Sequence, residues 1–507
     1  MEFSMNRNKR TWFALFALAA VVIAVFSSCP RRNAGGASEL RYGFTTEPKT
    51  LDPLNTANAS ADSRSILFNV FEGLIKPATD GTFLPCAAES WSIEQGGLVY
   101  NFTLREGVRF HDGSTVNPSD VKFTLDTAIA EGFNAFDRIE EVRLIGENII
   151  RVTLKSPDLE FLPYMTVGIV KADNPDREKN VIGTGPFMIE SYTLQRNLVL
   201  KKFDGYWQSS IPHLEKVTIV FFANTDAMMT ALRGGSIDGG SITGSQAAQL
   251  DHRQFDIIHS YSAAVQLLAL NNTAPPFNDM RVRLALNYGI DIQNIIDTAF
   301  FGTGYPSGSP LIPGLSVYYE DTLSYPYDLD KARSLLAEAG FGERNKLSFE
   351  ITVPSNYTMH VDTAQVIADQ LEKIGIDASI KLVDWNTWLV DVYRGRNYQA
   401  TIISLDSPVV SPRNFLARYR SDNSGNFISF SSAEYDRIFD SSLVETNEAR
   451  RIRIYKEAQR VVSENAASVF IQDILYYKAF RKGVFAGVLN YPLLIVDFAA
   501  IYRIDKN

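Results

Sequence analysis

Residues 347–382 read LSFEITVPSNYTMHVDTAQVIADQLEKIGIDASIKL. Leu347, Phe349, Ile351 and Val353 alternate with Ser348, Glu350 and Thr352, the two-residue period of a strand with one buried face. Ala364, Ile367, Leu371 and Ile374 then recur at intervals of three and four, and Gly375 stands where a helix C-cap glycine belongs. Ala378, Ile380 and Leu382 alternate with Ser379 and Lys381 and restore the strand period. Strand, helix and strand form a βαβ unit, and parallel strands joined in this way need helices over the sheet.

The same alternation of elements extends in both directions. A helix starts at Asp328 or Asp330, carries Ala332, Leu335, Leu336 and Ala339 on one face and ends at Gly340. Tyr100, Phe102 and Leu104 mark a strand. Val142 to Leu154 reads as a hairpin turning at Gly146-Glu147-Asn148, and between them Ser119 is placed to cap a helix carrying Val121, Phe123, Leu125 and Ala128. The class is therefore α/β. At 507 residues with 45% hydrophobic content, the chain exceeds what one core usually supports, so two or more globular units are expected. The net charge of −9, with Lys and Arg scattered, leaves no basic footprint for nucleic acid.

The amino end is of another kind. Arg7, Lys9 and Arg10 precede an uncharged apolar run from Thr11 to Phe26, shorter than the roughly 20 residues of a spanning helix. Residues 1–28 read as a secretory signal. Phe26-Ser27-Ser28-Cys29 resembles the processing box of bacterial lipoproteins, with Phe26 in place of the usual Leu, and this implies diacylglycerol on Cys29 and a membrane anchor. Residues 29–39, with two Arg and two Gly, then form a tether. Cys86 is the one other cysteine; with Cys29 acylated there is no disulfide, and Cys86 reads as a small buried hydrophobe.

Catalytic patterns are missing. His111, His213, His252, His259 and His360 form neither a zincin motif nor a Cys/His zinc spacing, so neither a metal centre nor a cofactor is expected. Gly234 to Gly240 lacks the Gly-Lys-Ser/Thr ending of a phosphate loop and reads as a turn. Gly304-Tyr305-Pro306-Ser307-Gly308 has its serine misplaced for a nucleophile elbow.

Ala88-Glu89-Ser90-Trp91, Tyr100-Asn101-Phe102-Thr103-Leu104-Arg105, Gly107-Val108-Arg109-Phe110-His111-Asp112-Gly113 and Asp120-Val121 closely resemble family 5 extracellular solute-binding proteins, the peptide- and nickel-type receptors of ABC importers. Glu47 to Pro53, Gly183-Thr184-Gly185-Pro186-Phe187, Tyr206-Trp207, Asn278 to Arg283 and Asp330 to Gly340 extend the resemblance over nearly all of the body. It implies a two-lobed periplasmic-binding-protein clamp of type II, with lobe 1 at 40–265 plus 476–507 and lobe 2 at 266–475. The crossing segments are expected near Ser262 to Leu270 and Ser468 to Tyr477. It further implies a non-catalytic monomer that closes on a short peptide or similar polar solute and presents it to a permease. A receptor for a nickel chelate or another non-peptide solute, or a sensor or adhesin using the same clamp, are the alternatives.

A zwitterionic ligand in a buried site needs an acid for its amine. The resemblance places Asp406 in that role, with a turn aspartate as the plain alternative. Ile403 and Ser411 stand where peptide receptors carry Trp and an acid, and Ala400 stands where oligopeptide-type members carry a carboxylate-binding Arg. It also implies His360, preceding the helix that ends at Gly375, as a partner for the ligand's carboxyl end or as a structural histidine. If it meets an anion, binding should strengthen as pH falls toward about 6.5. Trp385 is implied as a pocket wall, Trp388 as core, and Asn58 and Tyr261 as further ligand neighbours.

Overall fold

The computed structural model describes residues 38–55, 60–133, 135–261, 263–407 and 410–504, and Ser38 to Asn507 forms one compact unit. The expected βαβ unit is present. Strands Leu347–Pro354 and Ile376–Val383 pair in parallel, with Leu347 opposite Ile376 and Pro354 opposite Val383. Gly375 takes φ +82°, the left-handed conformation that ends the helix. That helix, Thr358–Glu372, starts earlier than its apolar stripe, so His360 lies inside its first turn rather than before it.

These strands belong to a six-stranded sheet in the order Gly304–Pro306, Ser468–Ile474, Ala264–Leu270, Ala400–Asp406, Leu347–Pro354, Ile376–Val383. Its two faces are read from alternate residues. Val265, Leu267, Ala269, Ile403 and Phe470 point into a core with Phe415, Tyr435, Tyr455 and Val462. Leu268, Leu270, Ile402 and Ile471 point into a second core with Val282, Leu286, Leu336, Ile367 and Leu371. Both faces are covered by helices, as parallel strands require. The last strand is an edge, which leaves Leu382 of the expected buried set 53% exposed.

A seven-stranded sheet has the order Phe255–Ser260, Tyr476–Arg481, Gly239–Ile242, Glu39–Phe44, Lys216–Phe221, Asn197–Lys202, Phe187–Thr193. The glycine-rich stretch expected as a turn thus supplies a strand at Gly239–Ile242 after the helix Thr225–Gly234. Ala88–Glu94, Val99–Leu104, Ile149–Leu154 and Ile139–Ile145 form a four-stranded antiparallel sheet, the last two being the expected hairpin. The helix Pro118–Ala130 beside it is capped by Asn117, not Ser119, because Pro118 occupies the first helical position and Asp120 completes a capping box with Asn117.

The chain passes from the seven-stranded to the six-stranded sheet between Ser260 and Ala264, and back between Ile474 and Tyr476. Most of the expected crossing segments are therefore strands of the six-stranded sheet. Elsewhere the four-stranded region meets the helices of that sheet through charge. Asp158 pairs with Arg138 at 2.8 Å and with Arg413, and Glu160 accepts from Tyr455 Oη at 3.1 Å with Arg451 at 3.6 Å. Cys86 is buried and its thiol is free, with burial raising its pKa. Among the described residues no helix is long and apolar enough to cross a membrane.

Candidate functional site

The sheet end nearest the crossings gathers most of the expected site residues. Strand Ala400–Asp406 runs antiparallel to Ala264–Leu270, setting Asp406 opposite Ala264 and Ser404 opposite Gln266. On the other side of that strand, Gln472 stands opposite Gln266 and Asp473 opposite Val265, and a bulge follows Gln266. Directly opposed residues share a face. Asp406, Ser404, Gln266 and Gln472 thus lie on the face covered by helix Thr358–Glu372, and Asp473 lies on the other.

Asp406 ends its strand exposed. Arg418 Nη2 donates to its main-chain oxygen at 2.7 Å, while its carboxylate has no hydrogen bond or ion pair with a described residue. Two residues back, Ser404 Oγ is buried without a hydrogen-bond partner among the described residues. A buried hydroxyl in that state costs about 1–3 kcal/mol unless something else reaches it.

A chain of amides runs inward from here. Gln472 Nε2 donates to Gln266 Oε1 at 2.7 Å, and Gln266 Nε2 donates to His360 Nδ1 at 3.0 Å and Thr363 Oγ1 at 3.1 Å. An amide nitrogen only donates, so His360 Nδ1 must accept and the ring is neutral. Burial lowers the His360 pKa to about 4. His360 is 2% exposed, and its Nδ1 is engaged with the strand beneath it.

Trp385 is held at the opening of a short helix capped by Asp384, whose side chain accepts from the backbone of Asn386 and Thr387. One face of its ring stacks on Trp388, with centroids 5.1 Å apart and planes 6° apart, and Tyr357 meets it edge-on at 5.5 Å. Tyr357 also lies 5.5 Å from His360, so the structure brings His360 and Trp385 together through one tyrosine. Trp388 is core, as expected, and its Nε1 donates to Thr401 Oγ1 at 2.9 Å.

Tyr261 sits at the first crossing, half-buried, with its ring 5.7 Å from Tyr305. Burial raises its phenol, with Tyr305 and the buried Asp473 adding to the effect. Tyr476, at the second crossing, is raised by burial and by the carboxylates of Asp473 and Asp406. Asn58 and Cys29 lie outside the described residues. Gln266, Ser404, Gln472, Asp473, Arg418 and Tyr476 were not anticipated. The detectable signal for Gln266, Gln472 and Asp473 is a polar residue within an otherwise apolar strand, in Ala264–Leu270 and Ser468–Ile474.

Comparison with known proteins identifies the fold and the family. The chain is 27% identical over 484 residues to the glutathione-binding protein GsiB of Salmonella typhi, covering 89% of this chain and 90% of that protein. It is 27% identical over 426 residues to heme-binding protein A of Haemophilus influenzae, covering 75% and 77%. The fold superposes on the unliganded open form of the periplasmic murein tripeptide binding protein MppA with a TM-score of 0.84 at 21% identity, over 93% of this chain and 98% of that one. It also superposes on the oligopeptide-binding protein AppA of Bacillus subtilis in complex with a nonapeptide, with a TM-score of 0.66 at 21% identity over 92% and 99%. The family model described as bacterial extracellular solute-binding proteins, family 5, matches residues 82–427. With that match spanning more than half of its length, the two-lobed α/β chain belongs to the family 5 bacterial extracellular solute-binding proteins.

Proposed function

We propose that this protein captures a short peptide or a similar polar solute between its lobes and hands it to the permease of an ABC importer, without making or breaking a bond in it. The observation that carries the reading is Asp406: an exposed carboxylate with no hydrogen bond to a described residue, its backbone fixed by Arg418, beside a buried hydroxyl that likewise has no hydrogen-bond partner among the described residues. A ligand ammonium supplies the charge and the donors that both groups lack. Trp385 supplies a ring surface that packs against varied side chains without dictating them. In this reading lobe 1 comprises 40–265 plus 476–507 and lobe 2 comprises 266–475. Asn58 and Tyr261 border the ligand. His360 supports the wall from below, and the molecule works as a monomer tethered to a membrane through lipidated Cys29. The peptide and ABC-transporter labels carried by several structural neighbours support the choice of partner.

Mass spectrometry of small molecules released from natively prepared protein, followed by thermal shift with those found, tests the reading. A peptide at about 100 times its dissociation constant raises stability by roughly 2.7 kcal/mol. Release of a nickel chelate and no peptide selects the metal-receptor alternative. Time-dependent cleavage of a bound peptide overturns the non-catalytic assignment.

A further inference from the structure

Beside the edge strand Gly304–Pro306 lies a cavity of about 350 Å³ that capture of a solute between the lobes does not use. Its floor follows the sheet away from the crossings: Tyr305 stands opposite Asp473, Pro306 opposite Gln472, and Phe470 and Val469 continue the lining. Val469 pairs with Leu268, four residues in from the Ala264–Asp406 pair, or about 13 Å along the strand. The walls come from two helix ends and a loop. Asn287 belongs to helix Met280–Gly289, Asp291 caps helix Ile292–Ala299, and the loop that follows Ser307 returns with Tyr319, Asp321, Tyr325 and Tyr327. The loop lies close on the strand's continuation, since a Cβ on Gly308 would meet the Ser324 backbone nitrogen at 2.5 Å.

The polar groups left open in this lining are acceptors. Tyr325 Oη donates to Ser463 O at 2.9 Å, Ser463 Oγ to Gly308 O at 2.8 Å and Ser307 Oγ to Ser309 O at 3.3 Å, which leaves Tyr319 Oη as the donor in its 3.2 Å bond to Ser307. Those hydroxyls are spent on the protein. Asn287 is 8% exposed, and its Nδ2 donates to Arg283 O at 2.9 Å and Ser468 O at 3.3 Å. Two carbonyl partners fix the amide and leave Oδ1 as an acceptor with no hydrogen bond among the described residues. Asp291 spends Oδ1 on the Asn294 backbone at 3.0 Å, and Asp321 is exposed. No Lys, Arg or His stands among the described lining residues, so two carboxylates and a buried amide oxygen face a space walled by tyrosines without a cation of the protein's own.

We propose that this cavity is a second binding site, for a small organic ammonium ion whose N–H groups reach Asn287 Oδ1 and the carboxylates of Asp291 and Asp321 while its carbon body lies among the tyrosines. An ammonium donates where the lining can only accept, it neutralises the carboxylates, and aromatic rings attract a cation and pack against its methylenes. The volume lies at the small end of the range for small-molecule pockets. A metal ion fits less well: calcium takes about six to eight oxygen ligands, and among the described residues no three His, Cys, Asp or Glu side chains gather to hold one. The inference goes beyond capture of a solute between the lobes and does not depend on it.

The experiment is calorimetric titration of the full chain with putrescine and with tetramethylammonium, in the wild type and in Asp406→Ala, which removes the acid proposed for the interlobe site. Putrescine is expected to bind both proteins alike. Asp321→Asn should weaken it about tenfold or more in either background, the worth of a charge-assisted hydrogen bond. Asp291→Asn, which keeps the helix cap, replaces Asp321→Asn should that variant fail to fold. Tetramethylammonium carries the charge without an N–H and is expected to bind at least about tenfold more weakly than putrescine. Absence of putrescine binding, binding that Asp321→Asn leaves unchanged, or equal binding of the two cations overturns the inference and leaves peptide capture standing. Binding lost in Asp406→Ala puts the amine between the lobes, which overturns the second site while supporting the first.

Discussion

His360 Nδ1 accepts a hydrogen bond from Gln266 Nε2 at 3.0 Å, which joins the helix of the βαβ unit to the strand that leads in from the first crossing. The bond exists only for a neutral ring, and burial lowers the pKa to about 4. The unfolded chain takes up this proton near pH 6.5 and the folded chain only near 4. The contribution of the neutral ring is thus complete above 6.5 and declines as pH falls through that window, by about 3 kcal/mol in all. Urea melts between pH 7.5 and 4 should show the stability advantage of wild type over His360→Gln shrinking with acidity. A constant gap would mean that the ring titrates alike in both states.

The other buried histidine behaves in the same way for the same reason. His111 accepts from the Gly183 backbone at Nδ1 and pairs its Nε2 with Gly185 O at 3.0 Å, and burial lowers its pKa to about 4. Its imidazole C2 proton, followed by NMR, is expected to keep the neutral shift at pH 5.5; a charged-form shift at that pH would mean that burial does not hold the ring neutral.

Asp406→Ala should abolish the ligand-induced thermal shift. The carboxylate is exposed and makes no hydrogen bond to a described residue, so the melting of the ligand-free protein should stay within about 0.5 kcal/mol of wild type. A ligand shift that survives the substitution places the amine elsewhere.

Asp158 is nearly buried and answers both Arg138 and Arg413, the latter sitting one residue beyond Pro412 in the segment that follows Asp406. Asp158→Ala leaves two guanidinium groups without that partner. Because the arginines keep some solvent, a loss of about 2 kcal/mol in chemical denaturation is expected rather than the larger cost of a fully enclosed pair.

Gly183→Ala tests packing rather than charge. A Cβ there would lie 1.9 Å from the Val70 carbonyl oxygen, a backbone atom that cannot turn aside. A loss of about 3 kcal/mol is expected, with the Gly183 to His111 hydrogen bond disturbed at the same time.

Local order was legible wherever one chemical period ran uninterrupted. The alternation of Leu347 to Val353, the stripe from Ala364 to Ile374 and the cap at Gly375 are short-range properties, and they specified the βαβ unit observed, whose register the structure supplies. The motifs from Ala88 to Gly340 identified the family, because scaffold turns and core positions recur together. The surroundings of Asp406 were beyond such reading. Gln266, Ser404 and Gln472 are separated by up to 206 residues and become neighbours only because three strands pair side by side. The state of His360 was likewise settled by burial: the same side chain titrates near 6.5 in water and near 4 beneath Gln266. Sequence by itself determined the elements and the family, since hydrophobic period and turn chemistry act over a few residues. The choice of which charges face one another, and which are silenced by burial, came from tertiary structure, since both depend on the dielectric and the neighbours that packing creates.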